Sequence, residues 1–167
     1  MISRVATGLL RVWLMLAATG SMAAQDSAPP ISGTLTNFTP AESLRPVPET
    51  SFVGLDGTKS SLADFRGRVV VLNFWATWCT PCIREMPSLD RLQAELGGQN
   101  FSVVLVSQDR NGEDRVPSFL ARLGLKHLTS YLDPLHPLFR AFGSRVLPTT
   151  ILIDTEGNEL GRLDGPA

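Results

Sequence analysis

The chain has 167 residues, with 15 Lys and Arg against 16 Asp and Glu and a formal net charge of −1. Basic residues are scattered and not interleaved with aromatics, no glycine-rich phosphate loop follows a strand, and no segment repeats, so nothing points to nucleic acid or nucleotide binding. With 43% hydrophobic residues, the composition describes one ordinary soluble domain.

The chain opens on Arg4 and Arg11, then the short apolar core Val12 to Ala18, then Ser21-Met22-Ala23-Ala24, small residues suited to signal peptidase. Residues 1–24 therefore read as a secretory signal. Arg11 splits the apolar stretch, which falls short of the about 20 residues of a spanning helix, so cleavage is expected, with an uncleaved N-terminal anchor as the alternative. No cysteine stands there for lipid attachment. Residues 25–48, rich in Pro, Ser, Thr and Ala without periodicity, predict a flexible linker, and the folded domain is expected over 49–167.

Phe52 to Lys59 has the pattern of a β-hairpin with Asp56-Gly57 as its turn. Arg68 to Trp75 is β-branched and aromatic with little alternation, as expected of a strand buried on both faces. It runs into Cys79-Thr80-Pro81-Cys82, which holds the only two cysteines. From Cys82 to Leu96 apolar residues recur at helical spacing, and Gly97-Gly98 stop the pattern. The dithiol therefore opens a helix, where backbone N–H groups and the helix dipole favour a thiolate at Cys79. Phe101 to Ser107 predicts a second buried strand and Glu113 to Leu123 a second helix ending at Gly124, which completes a βαβ unit. The acidic loop Asp109 to Asp114 lacks the ligand order of a calcium site and reads as a turn and helix start. Leu128 to Leu132 predicts a short edge strand and Pro134 to Phe142 a short helix, leaving His127 and His136 as loop residues. Pro148 opens a further strand, Asp154 to Asn158 is a hairpin turn, and Glu159 to Leu163 is the last strand.

Two thiols separated by two residues can close a disulfide, and redox chemistry is the leading reading. A zinc site would need His127 and His136, whose spacing does not suit a structural site. A bridge placed only for stability would normally close a longer loop.

Four motifs in order resemble the thioredoxin superfamily and, within it, the TlpA/ResA group of redoxins: Ser61 to Arg68, Asn73 to Cys82, Glu85-Met86-Pro87 and Leu147 to Asp154. The run Asn73 to Pro87 and the ending Gly165-Pro166-Ala167 most resemble the TlpA branch. The resemblance implies an α/β thioredoxin-like fold, a central mixed sheet with helices on both faces and an N-terminal β-hairpin. Related domains continue into a final helix that is missing here, which predicts an exposed apolar strip.

The same resemblance implies roles. Cys79 is the attacking thiolate, partly exposed, and Cys82 the buried resolving thiol. Thr80 and Pro81 fill the intervening positions and Pro87 bends the helix. Pro148 is implied to be cis and to face the dithiol, with the Leu147 backbone pairing with an extended substrate. Trp78 belongs to an exposed docking rim, while Trp75 divides between rim and core. Glu85 is implied as a partly buried proton acceptor for Cys82; thioredoxin's buried aspartate ahead of the first cysteine is Asn73 here, which cannot take up a proton.

The expected protein is a monomeric periplasmic thiol-disulfide oxidoreductase, working without cofactor or metal through the Cys79–Cys82 disulfide. As a reductant it would draw electrons from a membrane thiol donor of the DsbD or CcdA type and act on cytochrome c precursors or copper-site assembly proteins. An oxidase or isomerase of secreted proteins and a non-enzymatic Cu(I) chaperone are the alternatives. The Pro-x-x-x-Thr pattern of related peroxidases is absent.

Overall fold

A computed structural model describes residues 37–167, so the expected signal at 1–24 lies outside the described residues. In chain order the elements are β1 (Phe38–Pro46), β2 (Phe52–Gly54), β3 (Lys59–Ser60), a 3-10 turn (Leu62–Phe65), β4 (Val69–Trp75), α1 (Thr80–Leu96), β5 (Phe101–Ser107), α2 (Gly112–Leu123), β6 (Ser130–Leu132), α3 (Pro137–Ala141), β7 (Thr149–Ile153) and β8 (Asn158–Asp164). The strands form one mixed sheet in the order β1-β8-β7-β4-β5-β6-β2-β3. β4 pairs parallel with β5 and antiparallel with β7, and β5 pairs parallel with β6.

The weak alternation of β4 follows from its central position, because both faces are covered. Val70, Leu72 and Phe74 face one cluster with Val104, Val106, Ile151, Leu138 and Phe142. The opposite face packs Val103, Leu105, Met86 and Val116 beneath α1 and α2. Trp75 is fully buried, with its indole N–H donating to Ser130 Oγ at 3.0 Å. That partner lets a large side chain with a polar edge sit in the interior, and it settles Trp75 as core. Pro87 lies within α1 without ending it. Gly124 closes α2 at φ 66°, the left-handed geometry that favours glycine after a helix.

Three expectations need correction. The stretch predicted as linker through residue 48 contains β1, which pairs antiparallel with β8. Its side chains are mostly exposed, so it carries no hydrophobic periodicity; backbone pairing holds it, and Pro40 and Pro46 are tolerated because β1 lies at the sheet edge. Second, β6 is an interior strand, flanked by β5 and by the β2–β3 hairpin. Its shortness hid this, since a long-range pairing to β2 leaves no local signal. Third, β8 is the last described element, yet the exposed large hydrophobics Leu44, Trp78, Leu96, Leu135 and Val146 include no residue of β7 or β8. Phe38 closes over part of that region: a Cβ at Gly161 would sit 2.5 Å from its ring, so only glycine permits the approach.

Candidate active site

The chain leaves the central strand at Trp75 and turns through Ala76–Trp78 into α1, so the dithiol sits at the carboxyl end of β4. Cys79 is the N-cap of α1, and Pro81 occupies its first turn, where a missing N–H costs nothing. The two sulfurs are joined in a disulfide with Cα atoms 5.3 Å apart. Cys82 is fully buried, while Cys79 keeps only 5% of its surface, less than the resemblance implies for an attacking sulfur. The Cys82 N–H donates to Cys79 Sγ at 3.3 Å. Together with the positive end of the helix, this donor favours the thiolate of Cys79 once the bond is reduced.

Asp109 anchors the turn that carries Cys79, a role the sequence did not reveal. One carboxylate oxygen accepts from Thr77 Oγ1 at 2.6 Å; the other accepts from the Thr77 N–H at 2.9 Å and Ser107 Oγ at 2.8 Å. Asp109 is buried, so these bonds replace the water its carboxylate loses on folding. The available signal was an Asp two residues beyond a buried strand, read above only as a turn. Replacing Asp109 by Ala is expected to cost about 2–4 kcal/mol, since the Thr77 donors lose their acceptor. Urea unfolding checks this, with no change in midpoint refuting the anchoring role.

The start of β7 supplies the opposite wall. The Leu147–Pro148 bond is cis. Pro148 is buried and its carbonyl accepts from the Gly165 N–H at 2.9 Å. Among the described residues, the N–H and C=O of the half-buried Leu147 have no hydrogen-bond partner. Trp78, beside Cys79, is 67% exposed, and Thr80 is also exposed.

Behind the dithiol, Asn73 on β4 donates its amide to Glu85 Oε1 at 2.8 Å and to Thr150 Oγ1 at 2.9 Å. Both amide hydrogens are thereby used, while Asn73 Oδ1 and Glu85 Oε2 are buried without a partner. Burial pushes the Glu85 carboxyl above its ordinary value of 4.5, against the pull of the Asn73 amide.

A groove of about 760 Å³ opens beside the dithiol, walled on its apolar side by Trp78, Phe139 and Leu147. Arg110, Arg115, Arg140 and Arg145 also line it. His136, which begins α3, lines it too and meets Gln108 Oε1 through Nδ1 at 2.8 Å, whereas His127 is exposed. No cluster of three or more His, Cys, Asp or Glu that could hold a metal occurs among the described residues, and no helix there is long and apolar enough to cross a membrane.

A dithiol capping the helix that follows the central strand, with a cis-proline at the head of the neighbouring strand, defines a thiol-disulfide oxidoreductase of thioredoxin-like fold. The Redoxin family matches residues 31–163, and the chain belongs to it, as a ResA-like redoxin. It is 30% identical over 131 residues to the thiol-disulfide oxidoreductase ResA of Bacillus thuringiensis subsp. konkukian, covering 77% of this chain and 75% of that protein. Against ResA of Geobacillus thermodenitrificans it is 38% identical over 112 residues, 66% of this chain and 62% of the relative. Among solved structures, a Chlorobium tepidum protein provisionally designated thiol:disulfide interchange protein DsbE superimposes with a TM-score of 0.68 at 32% identity, covering 75% of this chain and 87% of that one.

Proposed function

We propose that the protein is a reductant of protein disulfides. In the reduced form the Cys79 thiolate attacks a sulfur of the substrate disulfide. That S–S bond breaks, one substrate sulfur leaves as a thiolate, and a mixed disulfide joins Cys79 to the other. Cys82 then loses its proton, with Glu85 as the acceptor, and attacks Cys79 Sγ. The mixed disulfide breaks, the second substrate thiolate leaves, and two electrons have passed to the substrate. The product is the Cys79–Cys82 disulfide described above, and a dithiol donor must reduce it before the next cycle.

During the attack the Leu147 backbone pairs with an extended substrate segment beside Pro148, while Trp78, Thr80 and Pro81 form the contact rim. An exposed aromatic anchor beside the reactive sulfur suits a protein substrate. The compartment we assign is the periplasm, reached through residues 1–24, either cleaved or kept as an anchor, with 25–37 as the lead-in to the domain. Electrons would come from a membrane thiol donor of the DsbD or CcdA type, and the substrates would be cytochrome c precursors or copper-site assembly proteins.

The feature that supports the direction of electron flow is the dipeptide between the cysteines: Thr80 and Pro81 bring no charge to the first turn, where strong oxidants of this superfamily often carry histidine. A strong oxidant owes its potential to a stabilised reduced form, and this first turn offers little for that. The equilibrium potential of the couple in glutathione or dithiothreitol buffers tests the reading. A value below about −200 mV supports a reductant, and one near about −120 mV would make the protein an oxidant of secreted thiols.

A further inference from the structure

The groove beside the dithiol carries a concentration of charge that the overall balance hides. Four of the 15 basic residues of a chain with net charge −1 line this one depression. They come from separate parts of the chain: Arg110 and Arg115 from the β5–α2 connection and α2, Arg140 from α3, and Arg145 from the segment leading to Leu147. All four are exposed. Among the described residues the sole ion pair is Arg162–Glu159, which includes none of the four arginines, so none of them has a carboxylate within salt-bridge reach. The acidic residues of the first turn of α2, Glu113 and Asp114, do not line the groove. Asp109 does, but its oxygens are committed to Thr77 and Ser107.

Unpaired guanidinium groups held around one concave surface repel one another, and an anionic ligand relieves that repulsion while accepting their forked hydrogen bonds. The groove also has an apolar wall of Trp78, Phe139 and Leu147, two of which adjoin Cys79 and Pro148 in sequence. A flat membrane surface cannot enter such a depression, whereas an extended chain can lie along it. Arg145 is two residues before Leu147, so a strand paired with the Leu147 backbone would bring its flanking residues within reach of that guanidinium.

We infer that the groove docks an acidic segment of the protein whose disulfide is exchanged at Cys79, and that Asp or Glu residues flanking the substrate cysteines select it. This rests on the reductase reading for its chemistry, but the docking itself can be measured without it. The segment makes carboxylate contacts with Arg140 and Arg145 as its cysteine comes to Cys79, and the charge of the groove speeds its encounter.

The test uses the reduced 167-residue protein and two disulfide peptides of equal length, one flanked by Asp and Glu and the other by Asn and Gln. Second-order reduction rates are followed by tryptophan fluorescence. Equilibrium binding is measured in parallel with cysteine-free versions of both peptides. The acidic peptide is expected to react about tenfold faster at low ionic strength, and the ratio should fall toward one in 0.5 M salt. It should also fall in the R140Q/R145Q double variant, provided its circular dichroism is native. An R140K/R145K variant should keep most of the ratio, since the charge remains. Equal rates and equal binding for the two peptides at low salt would overturn the inference, as would an acidic preference that persists undiminished in the R140Q/R145Q variant. Acid-selective binding without any disulfide reduction would instead sustain the docking surface and refute the reductase reading.

Discussion

Replacing Cys79 by Ser is expected to lower disulfide reductase turnover by about 10³-fold or more, because the attacking thiolate is removed outright. Replacing Cys82 by Ser should be as damaging to turnover but leave a different trace. Cys79 can still attack, nothing resolves the adduct, and a mixed disulfide with the substrate accumulates. Non-reducing electrophoresis and mass spectrometry separate the two: an adduct with C82S and none with C79S. An adduct on Cys82 in the C79S protein would reverse the assignment. That outcome is disfavoured by geometry, because Cys82 is fully buried and Cys79 retains the only exposed surface of the pair.

Replacing Glu85 by Gln should slow release of reduced substrate by about 10²-fold, the usual contribution of a positioned base. The rate of Cys79 attack, measured by adduct formation in the C82S background, should change little. In the parent protein the release rate should rise with pH as the carboxylate forms, and the Gln variant should lose that limb. Stability moves the other way. Burial raises the folded carboxyl above 4.5, so the folded state holds a proton that the unfolded chain has already released. This contribution is fully present below the unfolded value and is lost as pH rises through the folded one. The Gln variant lacks that loss, so it should gain stability over the parent at pH 7 and show no gain below about pH 4. Denaturant unfolding at both pH values checks the sign, and equal differences at the two would show that Glu85 is an ordinary solvated carboxylate.

Sequence legibility tracked locality. The β4–α1 junction was readable because a buried strand, a cysteine cap and a first-turn proline are each local signals. The hairpin at Phe52 to Ser60 and the α2 ending at Gly124 were readable for the same reason. β1 was missed because its strand character comes from pairing with β8, more than a hundred residues away, and its exposed side chains leave no period. The Asp109 anchor was missed because its partner Thr77 lies 32 residues earlier, and nothing near Asp109 distinguishes a clamp from a turn. The charged groove was equally hidden: its four arginines are dispersed in sequence, and only folding brings the β5–α2 connection, α2, α3 and the segment before Leu147 around one depression. The cis-proline came from resemblance alone, whereas the three-residue spacing from Cys82 already put Glu85 on the same helix face and resemblance supplied only its partial burial.

The sheet has two open ends, β3 and β1. β3 is two residues long. β1 carries Pro40 and Pro46 and breaks register with β8 between Pro40 and Arg45. Neither offers an unbroken row of donors and acceptors to a neighbouring molecule, so edge-to-edge growth into larger β-structured assemblies is blocked at both ends. Contact at the rim, where a bare indole stands beside a reactive sulfur, therefore does not compete with strand addition at the sheet edges.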